Sequence, residues 1–406
     1  MADKTMKTGG TIGRRGVLLG AVAGGAVLAA PGILRASDVL RVGWVRPLTG
    51  PMASTFVGNF AAGDIALEEI NAKGGILGRK LEKFEVDDAG SPAQQPIALR
   101  QLAEEQINIV VGPVGSSQTL AALAVSTPAE MLHCGYITAS DGGDGRRYPF
   151  HYQCSFTVAA QAVLYADFLK ARGVTKAGVL VEDSAAGTSV LDALQRELPA
   201  RGLTLTGSRV SPLRSNDMTP FLRDLRAGGA EALCVFVANA IDATQVFVGL
   251  DRLSWQPLIV GHTGLFYASS AEAIPPAGRY ADVYGASYRS LTFAPGQEPD
   301  ARLRGYIDRI LGFGLADAAL APAATSPFYD FLHVVAAGAE ATGSLDSGKI
   351  KGWLDQMRGH KGIFGDMSFT AENHTAYGPG EAAMAQVFPD ASPLYTTTKG
   401  LFRPRG

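Results

Sequence analysis

Two adjacent serines follow an apolar run and could together hold an anion. Ser116 and Ser117 come shortly after the run 109–111 and directly after Gly115. If a strand ends there and a helix begins at the serines, their hydroxyls and backbone N–H groups lie at a helix N-terminus, which favours negative charge. Serine also caps helices without binding anything, so both interpretations stay open. A second polar stretch follows the next apolar run and consists of Thr138, Ala139, Ser140 and Asp141.

Other site chemistries have little support in the sequence. The six histidines show no His-x-x-x-His spacing, and the three cysteines show no Cys-x-x-Cys spacing, so no metal site is predicted. There is no Gly-x-Ser-x-Gly elbow, and the glycines of 112–115 lack the full dinucleotide fingerprint. We therefore expect no catalytic residue, no cofactor and no enzymatic activity.

The first 36 residues have the plan of an export signal. Arg14 and Arg15 precede the apolar run 16–30, which at about 15 residues is too short to span a bilayer as a helix. The paired arginines predict the twin-arginine export route, with cleavage after Ala36. An uncleaved N-terminal anchor is the alternative. No later run is long enough to insert into a membrane, so the mature chain is expected to be periplasmic and not membrane-inserted.

Composition further restricts the partners. The formal charge of the chain is −2, and removal of residues 1–36 makes it more acidic. Without a block of Lys or Arg, such a chain is not expected to bind nucleic acid. The cysteines Cys134, Cys154 and Cys234 lie in or beside apolar runs, which predicts buried free thiols. A bond between Cys134 and Cys154 stays open.

The elements that must position the serines alternate between strand and helix. Strands are predicted over 39–45, 80–87, 109–111, 135–138, 176–182, 204–210, 232–238, 257–260, 364–369 and 383–388. Helices are predicted over 56–71, from Ser91 through 107, through 120–125, and over 159–172, 190–201, 218–227, 243–250, 325–341 and 350–357. Tyr148, Phe150 and Tyr152 alternate as on one face of a strand. Two successive α/β sets imply two lobes.

Several motifs together resemble one known family. They are Pro-Leu-Thr-Gly-Pro at 47–51, the glycine-rich block 66–80, Asp87-Asp88, Val-Val-Gly-Pro at 110–113 with Ser116-Ser117, the segment 224–230, and Phe364-Gly365 with Phe369. This pattern resembles the leucine/isoleucine/valine-binding family of type I periplasmic solute-binding proteins, the receptors of ATP-driven (ABC) importers. The likeness covers essentially the whole mature chain.

The resemblance implies an architecture and partners. The fold is expected to be α/β, with two doubly wound Rossmann-like lobes joined by a multi-strand hinge and a ligand in the cleft between them. Residues 1–36 would be the signal and 37–156 the first part of lobe 1. Residues 157–286 would form most of lobe 2, 287–361 would complete lobe 1, and 362–406 would return mainly to lobe 2. A small-molecule ligand and the permease and ATPase subunits of an importer are the implied partners.

The site implied by the resemblance contains both serines and the stretch Thr138, Ala139, Ser140 and Asp141. Two departures from the family pattern concern the ligand. Ala186 stands where amino-acid binders carry an aromatic residue, and Thr263 stands where a carboxylate would pair with an ammonium group. Asp141 or Asp183 could replace that acid.

If neither acid does so, the ligand carries no ammonium and is an organic or aromatic acid, or an amide. Candidate ring partners are Phe156, Phe236 and Phe266. The small disulfide that the resemblance implies in the first lobe is missing, since Gly90 and Gly115 stand at the positions of its two cysteines.

The sequence thus predicts a non-enzymatic receptor that binds a small carboxylate- or amide-bearing solute by hinge closure. Two alternatives remain at this stage. One is an exported α/β enzyme that acts on a small acid, and the other is a sensor that reports its ligand to a membrane partner.

Overall fold

The computed structural model describes residues 39–50, 52–53, 56–266, 273–293, 300–313 and 325–387, and the backbone of 401–402. The predicted export signal, with Arg14 and Arg15, lies outside the described residues. In the part of the chain that is described, no helix is both long and apolar enough to cross a bilayer.

The first lobe is built on a parallel four-stranded sheet with the strand order β2-β1-β3-β4. Its strands are β1 (Val39–Arg46), β2 (Lys80–Asp87), β3 (Ile109–Val114) and β4 (Leu132–Tyr136). The connecting helices are α1 (Val57–Ala72), α2 (Gln95–Glu104) and α3 (Ser116–Ser126). β3 is buried along its whole length, which explains its continuous apolar sequence.

The second lobe is built on a six-stranded sheet with the order β13-β9-β8-β7-β5-β6. Its strands are β5 (Lys176–Glu182), β6 (Thr204–Ser211), β7 (Ala232–Phe236), β8 (Leu258–Gly261), β9 (Val283–Tyr288) and β13 (Ala382–Gln386). All neighbours pair in parallel except β13, which is antiparallel to β9. The helices of this lobe are α4 (Val158–Ala171), α5 (Ala185–Ala200), α6 (Thr219–Ala227) and α7 (Ala240–Arg252).

The remaining described elements follow β9 along the chain. They are β10 (Thr292–Phe293), α8 (Ala301–Gly312), α9 (Ser326–Thr342), α10 (Ser347–Leu354), β11 (His360–Lys361), β12 (Asp366–Met367) and β14 (Leu401–Phe402). Helix α9 packs on α1 and β4 of the first lobe, whereas β13 returns to the second sheet. The chain therefore passes between the two sheets before α4, after β9 and before β13. The predicted fold class, two doubly wound lobes joined by several crossing segments, is confirmed.

A glycine ends the first helix of the resemblance block. Gly75 has a positive φ of 86°, and a Cβ placed on it would lie 1.9 Å from the carbonyl oxygen of Arg79. Only glycine fits this turn, which closes α1 and returns the chain to β2.

Several element predictions need correction. The stretch 148–152 is not a strand, because turns hold it and only His151 forms an isolated bridge with His133. The predicted strand 364–369 is reduced to β12 in a short hairpin. Ser91 has extended backbone before the helix but makes no capping hydrogen bond through its side chain. β4 begins and ends earlier than predicted, and α2 stops before Ile107. β9 and α8 were not predicted.

Candidate ligand-binding site

A cavity of about 510 Å³ lies at the carboxyl ends of strands from both sheets. Open parallel sheets place their ligand sites at this edge, where the loops that follow the strands converge. Lobe 1 contributes residues of the loops after β1, β2 and β3 and of the end of β4, and lobe 2 contributes the loops after β5, β6, β7 and β8. Three helices, α3, α5 and α7, begin at the cavity, so their positive N-terminal ends point to one place.

The first turn of α3 forms the lobe 1 wall. Ser116 is buried, and its Oγ accepts hydrogen bonds from the backbone N–H groups of Thr138 and Ala139, both at 3.3 Å. The Oγ of Ser117 accepts from the N–H of Ala185 in lobe 2 at 3.2 Å. A hydroxyl that accepts keeps its own proton for donation, so both serines can still donate to an anion in the cavity.

The N-terminus of α5 forms the opposite wall. Ser184 caps this helix, and its Oγ accepts from the N–H of Gly187 at 3.0 Å. A Cβ on Gly187 would lie 2.0 Å from the carbonyl oxygen of Glu182, so glycine lets the helix begin directly against the end of β5. Asn239 caps α7 in the same way, by accepting from the N–H of Asp242 at 2.9 Å.

A buried acid that sequence reasoning missed also lines the cavity. Glu182 is 4% exposed; its Oε2 accepts from the N–H of Ala238 at 2.8 Å, and its Oε1 accepts from the Oγ of Ser184 at 2.9 Å. Burial raises the pKa of Glu182 to about 7, against the lowering effect of these two hydrogen bonds. Its place as the last residue of the predicted strand 176–182 was the available signal, because that position lies at the ligand edge of a parallel sheet.

The loop after β6 supplies a cation and an apolar side chain. Arg214 has a positive φ of 57°, and both Arg214 and Leu213 line the cavity. The buried carboxylate of Asp242 holds this loop, since it accepts from the N–H groups of Arg214 at 3.0 Å and Ser215 at 2.8 Å. Leu213 is 53% exposed, which makes it an apolar surface that a ligand could cover.

Rings surround the rest of the cavity. Phe56 and Tyr136 of lobe 1 have ring centroids 5.5 Å apart, and Phe236 and His262 of lobe 2 have ring centroids 4.6 Å apart. Burial lowers the pKa of His262 to about 3, so its imidazole is neutral at pH 7. Its Nδ1 accepts from the N–H of Gly264 at 3.1 Å, which leaves the ring proton on Nε2 as a donor.

The structure brings together only part of the residue set predicted from sequence. Ser116, Ser117, Thr138 and Asp183 line the cavity, with Asp183 exposed at its edge. The other four lie behind or beside it and are Ala139, Ser140, Asp141 and Thr263.

Those four residues have other contacts. Ala139 supports Ser116, and the hydroxyl of Ser140 lies 3.4 Å from that of Ser189 in lobe 2. Asp141 is exposed and pairs with Arg147 at 3.4 Å. Thr263 is buried and hydrogen-bonded to Tyr136.

Only one of the three candidate ring partners lines the cavity. Phe236 lines the cavity, whereas Phe156 meets Tyr288 edge to face with ring centroids 4.8 Å apart, and Phe266 packs in the core of lobe 2.

Gln118 bridges the two loops that carry Gly90 and Gly115. Its Nε2 donates to the carbonyl oxygen of Gly90 at 3.0 Å, and its side chain fills the space beside Gly115. A hydrogen bond thus joins the loops where the resemblance implies a disulfide. The cysteines Cys134, Cys154 and Cys234 are all buried free thiols. In the described ranges, no group of three His, Cys, Asp or Glu side chains is placed to hold a metal ion.

Comparison with known proteins agrees with this architecture. The family model described as periplasmic binding protein matches residues 39–391. Leu/Ile/Val-binding protein homolog 7 of Brucella melitensis is 28% identical over 211 residues. That match covers 50% of this chain and 53% of the relative, so the chain spans about half the length of this curated relative.

Two solved structures share the fold over most of the chain. The substrate-binding protein LivJ of Streptococcus pneumoniae, solved with isoleucine, superposes with a TM-score of 0.71 and 19% identity, covering 86% of this chain and 95% of LivJ. A solute-binding protein of Rhodopseudomonas palustris, solved with 4-hydroxybenzoate, has a TM-score of 0.73 and 17% identity, covering 90% and 95% of the two chains. With two doubly wound lobes, a cavity between them and a family match over nearly the whole described region, the chain belongs to the type I periplasmic binding proteins of the Leu/Ile/Val-binding family.

Proposed function

We propose that this chain is the exported solute receptor of an ABC importer and that it binds a small carboxylate with an apolar, ring-bearing body. The observation that carries the proposal is the convergence of three helix N-termini and the serine hydroxyls on a cavity that is also lined by rings and aliphatic side chains. The first group of features suits one anionic head. The second suits an apolar body of the size of a benzene ring.

The acids that line this cavity are weak partners for the ammonium group of an α-amino acid. His262, next to the position where the family carries an acid, is buried and neutral. Asp183 is exposed, and the two oxygens of Glu182 already accept hydrogen bonds from the protein. A buried ammonium without an anionic partner costs several kcal/mol. This favours a ligand without an ammonium group.

Aromatic acids are the ligand class with the best support. The Rhodopseudomonas palustris relative in fold was solved with 4-hydroxybenzoate, and a ring between Tyr136 and Phe236 would match the lining described above. A branched-chain amino acid is the second candidate, because LivJ of Streptococcus pneumoniae was solved with isoleucine and Glu182 could accept from an ammonium group.

A thermal-shift screen followed by calorimetry separates the two candidates. Benzoate, 4-hydroxybenzoate and 3,4-dihydroxybenzoate are compared with leucine, isoleucine and valine. We expect micromolar binding, about −8 kcal/mol, for at least one aromatic acid and much weaker binding of the amino acids. Micromolar binding of leucine without binding of any aromatic acid would reverse the assignment. The bound compound should be recovered unchanged, and its turnover would favour the enzyme alternative.

Export and domain organisation complete the proposal. The family match and the sequence of residues 1–36 support a periplasmic protein exported by the twin-arginine route, with lobe 1 formed by 37–156 and 287–361 and lobe 2 by 157–286 with the C-terminal strands. Replacement of Arg14 and Arg15 by Lys should leave precursor in the cytoplasm. Normal recovery of the mature protein from the periplasm would exclude this route.

A further inference from the structure

Glu182 and Ser184 form a hydrogen-bonded pair in the lobe 2 wall of the cavity. The Oγ of Ser184 donates to Oε1 of Glu182 and at the same time accepts from the N–H of Gly187. A hydroxyl has one proton, so Ser184 has no donor left for the cavity while Glu182 is ionised. Both residues line the cavity, and Glu182 is almost completely buried.

Protonation of Glu182 reverses this hydrogen bond without breaking the network. The neutral acid can donate its O–H to Ser184, while its other oxygen still accepts from the N–H of Ala238. Ser184 then accepts two hydrogen bonds, from Gly187 and Glu182, and its own proton becomes free to donate to a ligand. The wall therefore has two satisfied states, and only the protonated state offers the Ser184 hydroxyl to an anion.

The charge of an anionic ligand favours the same state. A carboxylate at the N-terminus of α5 would lie near an ionised Glu182, and two carboxylates in one desolvated site cannot both stay ionised without a large cost. Protonation of Glu182 removes that repulsion. The carboxyl group of a small organic acid has a pKa of about 4, like that of an unperturbed acidic side chain. Because the pKa of Glu182 is higher, Glu182 takes the proton.

Burial is the main cause that raises the pKa of Glu182 to about 7, and its charged neighbours are secondary. Asp242, at the start of α7, raises its pKa further, and Asp183 is the exposed acid next to it on the end of β5. Arg214 of the loop after β6 is the cation that lines the same cavity. His262, from the end of β8, carries no charge at neutral pH because its pKa is about 3. Lobe 1 faces the pair with the uncharged hydroxyl of Ser117.

We propose that Glu182 takes up a proton when the cleft binds a carboxylate, and that the neutral acid turns the hydroxyl of Ser184 towards the ligand. This inference rests on the proposed function, because it requires an anionic ligand. Glu182 would then select for anions through its protonation state. Its pKa of about 7 places this protonation in the physiological pH range.

Calorimetry with benzoate and 4-hydroxybenzoate at pH 6, 7 and 8 tests the coupling. Both carboxylates are ionised over this range, so the titrating group belongs to the protein. We expect the affinity to be about tenfold higher at pH 6 than at pH 8, the ratio set by one group titrating near pH 7 when only its protonated form binds. Repetition in two buffers of different ionisation enthalpy should show uptake of close to one proton per ligand at pH 8. Benzamide, the neutral isostere, should show neither effect if it binds.

The variant E182Q tests whether Glu182 is the source of the pH dependence. The introduced amide can donate to Ser184 and accept from Ala238, as the protonated acid does, so the variant should bind both probes at pH 8 as tightly as the natural protein does at pH 6. Its affinity should not depend on pH. The matched control D183N removes the neighbouring exposed charge and should keep the pH dependence, whatever its effect on the absolute affinity.

The outcomes separate this inference from the proposed function. Failure of every aromatic acid in the screen to bind would overturn both. Binding of benzoate or 4-hydroxybenzoate without proton uptake and without a change in affinity between pH 6 and pH 8 would overturn the inference alone. Because proton uptake is measured on the natural protein, the test stands even if E182Q folds poorly.

Discussion

Ser117 is the residue at which ligand recognition and lobe contact meet. Its Oγ accepts from Ala185 across the cleft and keeps a proton for the ligand. We expect Ser117→Ala to weaken carboxylate binding by about 1–2 kcal/mol, five- to thirtyfold, measured by calorimetry. Ser189→Ala is the matched control, because Ser189 contacts Ser140 across the cleft without lining the cavity. Equal losses in the two variants would show that only the lobe contact matters.

Buried histidines should make the stability of the fold sensitive to acid. Burial lowers the pKa of His133 to about 4 and that of His151 to about 3 from 6.5. The unfolded chain therefore binds more protons between these values. The stabilising contribution of each histidine is present above pH 6.5 and is lost as the pH falls through this window, by about 2 kcal/mol between pH 7 and pH 5. The raised pKa values of Glu182 and Asp330, about 7, act in the opposite direction.

Comparison of a histidine variant with the natural protein isolates the contribution of one histidine, because Glu182 and Asp330 titrate in both proteins. We expect His133→Gln to lower the free energy of unfolding at pH 7, since it disturbs the contacts of His133 with Ser126 and Gly112. Between pH 7 and pH 5, however, the variant should lose about 2 kcal/mol less than the natural protein in urea denaturation. Parallel pH profiles for the two proteins would contradict the assignment of a neutral His133.

At the scale of elements, the loop after β6 and the start of α7 form one unit through Asp242. Its carboxylate is buried and accepts from two backbone N–H groups of the loop and from the Nδ2 of Asn239. We expect Asp242→Ala to destabilise lobe 2 by about 3 kcal/mol or more, because several buried donors lose their partner. Affinity should fall with it, since Leu213 and Arg214 lose their support. Asp251→Asn, near the other end of α7, should change the melting temperature and the affinity very little.

At the scale of the whole molecule, the two lobes contact each other across the cleft. Besides the contact of Ser117 with Ala185, the hydroxyls of Ser140 and Ser189 lie 3.4 Å apart. Since a ligand in the cavity would touch both lobes, we expect the lobes to separate for it to enter and leave. The pair Ser140 and Ser189 lies where a covalent link would prevent that motion.

A cross-link tests this motion directly. We expect the double variant S140C/S189C, oxidised without ligand, to bind carboxylates very slowly, because its lobes cannot separate. Oxidised with ligand, it should trap the ligand, and a reductant should restore exchange. The single variant S189C should exchange ligand normally under both conditions. Normal exchange by the fully oxidised double variant would show that the ligand enters without lobe separation.

Much of the architecture was determined by the sequence alone. The alternation of apolar strands with helices predicted two α/β lobes, because each parallel strand must be buried on both faces and each crossover needs a helix. The family resemblance implied that these lobes are doubly wound. The motif at 110–117 predicted that Ser116 and Ser117 stand where a strand ends and a helix begins, and the structure places both at the cavity. These are local properties, since period, glycine position and order along the chain are written in consecutive residues.

The composition of the cavity was decided only by tertiary structure. Glu182 and Tyr136 appeared in the sequence as strand residues, and only the convergence of two sheets turns strand ends into opposite walls of one cavity. Thr263 and Asp141 stood in plausible loops, yet one is buried against Tyr136 and the other is exposed beside Arg147. Which side of a loop faces the cleft depends on how distant elements pack, and the protonation of Glu182 depends on the burial that this packing creates. Neither property is present in any one segment of the chain.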